Sequence, residues 1–240
     1  MVLAEWMETG NAPIDLWDVD IRRMQPFQAN RRYLRTRVSE TLGLLYADHF
    51  PYRQFASARG VRRSPIHHYL ADQGACFGEV SGWERANWFL PEEAVNAGKT
   101  AAYEYSWKRQ NWFDYSAAEH LAVRQSVGLF DMSSFGKIKL VGRDAEAVLK
   151  RIAANDVAVP IGKIVYTQFL NEAGHIEADV TITRLADDEF LVVTPAATIR
   201  RDLHWITSHI PDDAHAYAID MTISESCLLY TSDAADEWLR

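Results

Sequence analysis

The sequence contains only two cysteines, Cys76 and Cys227, among its 240 residues. Two such cysteines provide neither a disulfide framework nor the paired spacing of a CxxC metal site. No apolar run approaches the ~20 residues that a helix needs to cross a bilayer. No basic segment followed by an apolar stretch marks a secretory signal either. We therefore expect a soluble protein of a reducing compartment.

Positive charge is also scarce. Lys and Arg together number 25 against 33 Asp and Glu, which gives a formal net charge of −8. An acidic chain is repelled by phosphate backbones and by anionic lipid surfaces. We therefore expect neither a nucleic acid nor a membrane as a partner.

Several signatures of catalysis are missing. The sequence has no GxGxxG stretch, no Walker loop, no GxSxG and no HExxH, so the dinucleotide, nucleotide, serine hydrolase and zinc protease motifs are absent from it. The sequence also shows no pair of carboxylates of the kind that would indicate a hydrolase. These patterns alone support only a soluble α+β domain with an aromatic-rich appendage.

What the sequence does contain is enough apolar material for a sizeable core. Hydrophobic residues make up 48% of the chain, and 8 Trp, 10 Tyr and 10 Phe are many for this length. Such a composition favours a globular protein with aromatic-lined surfaces. At 240 residues the chain can form one large domain or two small ones.

The stretch GKIVYTQFLNEAGHIEADVTITRLADDEFLVVT, residues 162–194, predicts three strands joined by two tight turns. Its β-branched runs alternate with turn residues, which is the hairpin signal. The predicted strands are Tyr166 to Leu170, Ile176 to Leu185 and Phe190 to Thr194. Because successive side chains of a strand point to opposite faces, the second strand divides into an apolar and a polar face. Its predicted apolar face comprises Ile176, Ala178, Val180 and Ile182, and its polar face Glu177, Asp179, Thr181 and Thr183.

The polar face of this meander has two interpretations. If the first hairpin pairs in register, Tyr166 faces the same way as Asp179, and a phenol beside a carboxylate could line a site for a flat polar ligand. Alternatively the polar face simply meets water, since any half-solvated sheet shows this alternation. The pattern itself favours the second interpretation.

Helical periodicity predicts the other elements. An amphipathic helix ends at Gly10, and a second helix spans Arg31 to Tyr46, with its arginines exposed and its apolar residues sharing one face. Further helices are predicted at Ser116 to Val127, with Ser116 and Glu119 as a capping box, at Asp144 to Ile152, and at Thr198 to Ile210. A strand is predicted at Gly136 to Val141. Strands connected by hairpins and mixed with helices indicate an α+β fold.

Two other stretches invite functional interpretations. Residues 74–89 and 103–112 interleave aromatics and glycines without a clear period, which predicts irregular loops packed on a neighbouring domain, with a ligand surface as the alternative. His67 and His68 lie at the start of a short helix, after a basic cluster at 59–63. Adjacent helical residues point about 100° apart, so these two cannot easily bind one metal; a solvated helix start is favoured.

Several motifs, taken together, resemble the oxidoreductases that demethylate N-methylated glycines, the dimethylglycine and sarcosine dehydrogenase (oxidase) family. LAEWMETGNAPIDLWDVDIRR is similar to the C-terminal edge of their FAD domain, and RGVRRSPIHHYL with GACFGEVSGWERANWF to their central segment and its junction. The stretch from YSAAEHLAVRQSVGLFDMSSFGKIKL through GHIEADVTITRL resembles the start of the folate-binding domain shared with glycine-cleavage aminomethyltransferase. The resemblance spans residues 1–222 in the order of the family.

The resemblance implies a function. In that family FAD takes a hydride from an N-methyl group, which gives an iminium, and the folate domain passes the one-carbon unit to tetrahydrofolate. It therefore implies a small methylamine substrate, with FAD and tetrahydrofolate as cofactors. The location would be the cytoplasm of a bacterium or the mitochondrial matrix of a eukaryote.

By motif, Asp179 matches the aspartate that contacts folate beside its reacting nitrogens, where an acid/base carboxylate is apt because the amine loses its proton. Tyr166 matches a tyrosine that lines the pterin pocket. Phe135 falls where the related transferases carry an apolar wall residue, and Thr181 is a further candidate on the strand face of Asp179. The resemblance therefore favours the interpretation of this face as a site, with Asp179 catalytic and Tyr166, Phe135 and Thr181 binding the cofactor.

The resemblance also predicts boundaries. We expect the edge of the FAD domain at 1–18, the central segment at 19–75 and the first part of the folate-binding domain at 76–223. Residues 224–240, which end in SCLLYTSDAADEWLR, are expected to be a non-native tail. The fold is then α+β, an antiparallel meander with packed helices after a mostly helical and irregular central segment. The first helix has no N-cap residue, so we expect a fragment of a longer enzyme. A non-catalytic folate-binding module of the aminomethyltransferase superfamily is the alternative.

Overall fold

The computed structural model describes residues 2–10 and 13–231. Its α-helices are α1 (Val2–Thr9), α2 (Arg31–Leu45), α3 (His67–Asp72), α4 (Glu92–Asn96), α5 (Phe113–Gln125), α6 (Ala145–Ile152) and α7 (Ile199–Ser208). Short 3-10 turns occupy Trp17–Val19, Ile21–Arg23 and Pro26–Ala29. The strands are β1 (Ala75–Val80), β2 (Trp83–Phe89), β3 (Leu129–Asp131), β4 (Gly136–Val141), β5 (Ile164–Leu170), β6 (Ile176–Ala186), β7 (Glu189–Thr194), β8 (Tyr217–Asp220) and β9 (Leu228–Tyr230).

The chain divides into two compact units. We call residues 1–29 with 136–220 the sheet unit, and residues 30–135 with 221–240 the hairpin unit. None of the described helices is long and apolar enough to cross a membrane.

The sheet unit is built on one antiparallel sheet of five strands in the order β5-β6-β7-β4-β8. The predicted meander is confirmed as β5, β6 and β7, which begin and end within two residues of the expected positions. One face of this sheet packs with α6 and α7 to form the core, because both helices carry an apolar stripe. The buried side chains include Ile138, Leu140, Val148, Leu149, Ile152, Phe169, Val180, Ile182, Phe190, Val192, Ile199 and Ile206.

The alternation of β6 holds along most of its length. Ala178, Val180 and Ile182 are buried, as the period of two predicts. Ile176, which was expected on the same face, is 64% exposed. The pairing shifts between Phe169 and Leu170, so that Leu170 opposes Ile176 and Glu177 is an extra residue. A bulge of this kind breaks the alternation, which is why the prediction for Ile176 is wrong.

Two predicted helix caps make other contacts. Asp144 stands at the N-cap position of α6, but its carboxylate accepts a hydrogen bond from the His215 amide at 2.7 Å instead of capping the helix. Helix α5 begins at Phe113, three residues before the predicted cap Ser116. The Glu119 carboxylate accepts from the Phe89 amide at 2.7 Å, so it ties α5 to β2 rather than closing a capping box.

The hairpin unit corrects the expectation of irregular loops at 74–89. These residues form the antiparallel hairpin β1–β2, in which Val80 pairs with Trp83 across the two turn residues Ser81 and Gly82. Both turn residues have positive φ, +51° and +83°, as a tight two-residue hairpin turn requires. Buried Trp88 stacks on Tyr115 of α5 with ring centroids 5.4 Å apart, so the aromatic residues form a small core of this unit.

Helix α2 also differs from the expectation. Its apolar residues Leu34, Val38 and Leu42 are 41%, 45% and 57% exposed, whereas Arg37 is buried at 8% exposed. The Arg37 guanidinium forms a salt bridge to Glu79 of β1 at 2.6 Å and donates to the Ser57 carbonyl at 3.0 Å. The helix therefore packs through a buried ion pair, which a hydrophobic pattern does not detect.

The predicted tail lies partly within the described residues. Strand β9, Leu228–Tyr230, pairs antiparallel with Leu129–Asp131 of β3. The Cys227 amide donates to the Ser133 hydroxyl at 3.1 Å. The expectation of a non-native segment at 232–240 falls outside the described residues, and the boundary at 224 stays a prediction.

Candidate functional site

The register of β5 and β6 brings four polar side chains together on the sheet face opposite the core. Tyr166 pairs with Thr181, and Gln168 pairs with Asp179. Since directly paired residues share a face, and residues two apart along a strand also share it, all four point the same way. The expected common face of Tyr166 and Asp179 is therefore confirmed, with the two residues in diagonal positions.

The Asp179 carboxylate lies beside side chains of β5. The Gln168 amide nitrogen donates to Asp179 Oδ1 at 3.3 Å. The Asp179 carboxylate beside the Tyr166 hydroxyl raises the pKa of Tyr166. The phenol is therefore protonated at neutral pH, and the carboxylate accepts a hydrogen bond from Gln168 of β5.

This polar face is open along β5 and β6. The Tyr166 side chain is 60% exposed, Asp179 is exposed, and Thr181 and Gln168 are half-buried. The row that begins with Tyr166 and Thr181 continues across the sheet through Val193 of β7 to Lys137 of β4. The face thus presents an aromatic ring, hydrogen-bonding groups and a carboxylate to any ligand that lies flat on it.

The backbone under Tyr166 is fixed from the segment that follows α6. The Asn155 side-chain amide donates to the Tyr166 carbonyl at 2.8 Å. The Asn155 backbone amide donates to the hydroxyl of buried Thr167 at 3.0 Å. Asn155 therefore ties the segment after α6 to two successive residues of β5.

Phe135 does not join these residues within the sheet unit. It lies in the hairpin unit, where it is half-buried and its amide donates to the Met132 carbonyl at 2.9 Å. The sheet unit begins again at the next residue, Gly136. The role of Phe135 as a wall residue therefore stays a prediction from the resemblance alone.

Gln168 is the residue of this group that the sequence reasoning missed. It stands two positions after Tyr166, so the same alternation that placed Tyr166 on the polar face also places Gln168 there. In the sequence, a glutamine on the polar face of a strand is indistinguishable from an ordinary solvent-exposed residue. Only the register shows that it stands directly opposite Asp179.

Among residues 2–10 and 13–231, no group of three or more His, Cys, Asp and Glu side chains is arranged to hold a metal ion. The adjacent histidines do not converge, since the rings of His67 and His68 meet edge to face at 85°. His68 is exposed, as a solvated helix start predicts, but His67 stacks on Phe77 with centroids 4.2 Å apart. The expectation of solvation is therefore wrong for His67.

Comparisons with known proteins divide the chain near residue 65. A model of the FAD dependent oxidoreductase central domain matches residues 9–64, and a model of the GCVT N-terminal domain matches residues 66–229. The chain is similar to 4-methylaminobutanoate oxidase (formaldehyde-forming) of Paenarthrobacter nicotinovorans, at 49% identity over 82% of the chain. It is also similar to human mitochondrial sarcosine dehydrogenase, at 35% identity over 77% of the chain, and to the mitochondrial pyruvate dehydrogenase phosphatase regulatory subunit of Mus musculus, at 33% over 92%.

The chain spans only about a quarter of these relatives, from 22% to 25% of their lengths. Among solved structures it resembles the glycine cleavage system aminomethyltransferase T of Bartonella henselae, with a TM-score of 0.56 and 22% identity, over 72% of this chain and 41% of that one. This likeness and the antiparallel sheets confirm the predicted α+β fold, and the relatives confirm the resemblance to FAD-linked demethylating enzymes. Since the second model covers more than half of the 240 residues, the chain belongs to the GCVT N-terminal domain family, preceded by part of an FAD dependent oxidoreductase central domain.

Proposed function

We propose that this chain is part of an FAD- and tetrahydrofolate-dependent oxidative demethylase of N-methylated glycines. In this proposal the face that carries Tyr166 and Asp179 is the place where tetrahydrofolate receives the one-carbon unit. The observation that carries the proposal is the shared position of Tyr166 and Asp179 on an open sheet face, with Gln168 bonded to the Asp179 carboxylate, within a stretch that belongs to the GCVT N-terminal domain family.

The residues of this face fit a reduced pterin. A pterin is flat and edged with nitrogen donors and acceptors, so an exposed aromatic ring beside a carboxylate suits it. Asp179 accepts a hydrogen bond from Gln168 and lies exposed, so its remaining lone pairs can receive an N–H of the ligand. When bound, tetrahydrofolate supplies the nitrogens that accept the one-carbon unit.

In this proposal each residue has one task. The Asp179 carboxylate accepts the proton that the attacking amine loses as its new bond to carbon forms. The Tyr166 hydroxyl, on the same face as Asp179, orients the carboxylate, and the Tyr166 ring forms a wall for the pterin. Thr181, which pairs directly with Tyr166, offers a hydroxyl on the same face.

The flavin would supply the hydride acceptor for the amine oxidation. The sequence has no GxGxxG motif, and we assign no residue of this chain to the flavin. The substrate class follows the relatives, whose names indicate sarcosine, dimethylglycine and 4-methylaminobutanoate. All three carry an N-methyl group on an amino acid, and we propose an N-methylated glycine as the substrate here.

A titration tests the folate part of the proposal. Tetrahydrofolate is added anaerobically to the 240-residue chain in a calorimeter, and the dissociation constant is compared with that of Asp179→Asn. We expect this variant to lose about tenfold or more in affinity, because a charge-assisted hydrogen bond to the ligand becomes a neutral one. The matched control is Glu172→Gln, an exposed carboxylate in the β5–β6 turn. Equal affinities of wild type and Asp179→Asn would contradict the proposal.

A second candidate is a non-catalytic folate-binding module. It is favoured by the similarity to a protein named as a regulatory subunit, at 33% identity over 226 residues. The gene that encodes this chain, expressed at full length, distinguishes the two. Bleaching of a bound flavin on addition of sarcosine or dimethylglycine supports the demethylase. A full-length protein that binds tetrahydrofolate but no flavin supports the module.

A further inference from the structure

The hairpin unit contains a cavity of about 970 Å³ that the proposed function does not use. Its walls are the loop from residue 50 to 63, helix α3, the beginning of β1 and the segment from 99 to 105. The volume lies at the upper end of the range of ~300–1,000 Å³ in which small-molecule sites are found. We call it the arginine cavity.

The arginine cavity concentrates positive charge in an acidic chain. Arg53, Arg63 and Lys99 line it, and within the described part of the chain none of the three forms a salt bridge. The fourth cation, Arg59, is neutralised by buried Glu84, whose carboxylate it binds through Nε at 2.9 Å. Three unneutralised cations around one cavity, in a chain of net charge −8, produce a local field that attracts anions.

The position of Arg63 depends on a glycine. Gly60 has a φ of +73°, and a Cβ atom built there would lie 2.6 Å from Arg63 Nη2. The guanidinium therefore lies directly against the Gly60 backbone, an approach that only glycine permits. The Gly60 amide also donates to Glu84 at 2.5 Å, so the turn that positions Arg63 is tied to the buried ion pair.

His67 adds an unsatisfied polar atom to the same cavity. Its ring lies nearly parallel to that of Phe77, at 4.2 Å and 21°. Its Nδ1 is buried and has no hydrogen-bond partner among the described residues. Burial and the charge of Arg63 lower the pKa of His67. A buried polar atom without a partner is uncommon in folded proteins, and a ligand group in the cavity would provide one.

Stacked aromatic rings also line the cavity. Tyr103 and Tyr105 are parallel within 3°, with centroids 5.7 Å apart, and Phe50 stacks on Tyr105 at 6.4 Å and 9°. Both phenols are anchored, since the Tyr105 oxygen accepts from the Gln54 amide at 2.8 Å and the Tyr103 oxygen from Asn87 at 2.7 Å. A wall of parallel, fixed rings matches a ligand with a planar ring system.

We propose that the arginine cavity binds a small polyanion that carries a planar ring, with its anionic groups on Arg53, Arg63 and Lys99 and its ring against Tyr103, Tyr105 and Phe50. The forked guanidinium groups match phosphate and carboxylate equally well, so both chemistries belong to the proposal. The site lies in the hairpin unit and does not depend on the folate site of the sheet unit.

Four probes test this assignment by calorimetry on the 240-residue chain. Adenosine diphosphate and benzene-1,3,5-tricarboxylate are the ring-bearing anions, and they distinguish phosphate from carboxylate. Pyrophosphate lacks the ring, and adenosine lacks the charge. We expect at least one ring-bearing anion to bind about tenfold or more tightly than both pyrophosphate and adenosine, with an affinity that falls as salt is added. Ring-bearing anions that bind no more tightly than these two controls would overturn the proposal.

Two variants locate the binding. Arg63→Gln removes one cation, and Gly60→Ala displaces the Arg63 guanidinium without removing its charge. We expect each variant to lower the affinity for the tighter-binding of the two ring-bearing anions about tenfold. The matched control is Arg35→Gln, at an exposed arginine of α2 outside the cavity, and it should leave the affinity unchanged. Circular dichroism checks that the variants are folded. Binding that survives Arg63→Gln, or that falls equally in Arg35→Gln, would refute the site.

Discussion

Removing the buried guanidinium of Arg37 should cost the hairpin unit a large part of its stability. Its side chain is 10% exposed and that of its partner Glu79 is 9% exposed, with the two charged atoms 2.6 Å apart. The guanidinium also donates to the Ser57 carbonyl and lies over the Phe55 ring at 4.1 Å. An Arg37→Met variant keeps the apolar stem but leaves the Glu79 carboxylate buried, with the Gly82 amide as its one remaining donor among the described residues.

The magnitude follows from the burial of both charges. Breaking a buried pair by removing one partner costs about 3–5 kcal/mol, since the remaining charge loses its compensation. Glu79→Gln leaves the Arg37 charge in the same position, so a similar loss is expected. In the double variant neither charge remains, and the loss should fall short of the sum of the single losses by about 2 kcal/mol.

The assay is urea unfolding, with hydrogen exchange of α2 and β1 peptides to assign the loss to the hairpin unit. The control is Arg109→Met, which breaks the ion pair to Asp114 at 3.6 Å, where the side chains are 67% and 84% exposed. That change should cost less than about 1 kcal/mol. If Arg37→Met costs no more than Arg109→Met, or if the losses at positions 37 and 79 simply add, the reasoning about burial is refuted.

Three further predictions concern the core, the thiols and a buried acid. Phe169→Ala, at a side chain with 0% exposure, should destabilise the sheet unit by about 3–5 kcal/mol in urea unfolding; a loss below about 1 kcal/mol would contradict the core assignment. Burial raises the pKa of the Cys76 thiol to about 11, so iodoacetamide at pH 8 should modify the half-exposed Cys227 first. Equal rates of alkylation of the two thiols, followed by mass spectrometry, would contradict this. Burial also raises the pKa of Asp202, although its hydrogen bonds to Thr194 and Thr198 oppose the shift. Because the pKa of Asp202 is raised in the folded state, the protonated carboxyl contributes stability below the ordinary carboxyl pKa. This stability is lost as pH rises through the folded-state pKa. The Tm of Asp202→Asn relative to wild type should therefore increase from pH 4 to pH 8, and a constant difference would oppose the argument.

The sequence predicted the sheet unit well because its pattern is local. Alternation with a period of two, interrupted by Asn171 to Gly174, specifies a hairpin without knowledge of the rest of the chain. The helix α6 was likewise predictable from its apolar stripe, and its inward residues are buried as expected. The bulge at Glu177 escaped, since a single extra residue leaves no mark on composition, and the short strand β8 was not predicted.

The hairpin unit was harder to predict because polar groups are buried in it. In β2 both Trp83 and Glu84 are buried, since Arg59 reaches the Glu84 carboxylate from a distant loop, and the alternation of the strand is lost. Arg37 is buried for the same reason. Predictions from a hydrophobic pattern assume that charged residues are exposed. They are therefore wrong where a fold buries charged residues as ion pairs.

Only part of the candidate site could be predicted from the sequence. The alternation predicts that Tyr166 and Asp179 share a face, provided that the register is known, and the register is what the structure supplies. Gln168 became a candidate only through its position opposite Asp179. The partnership of Phe135 with this face depends on resemblance and not on any pattern in the strand sequences.

The most direct test of the central claim is a double-mutant cycle on tetrahydrofolate binding, with wild type, Tyr166→Phe, Asp179→Asn and the double variant titrated under identical conditions. If the phenol orients the carboxylate that contacts the ligand, each single change weakens binding, and the double change costs less than the sum by about 0.5 kcal/mol or more. Affinities that are unchanged, or losses that add, would contradict the account.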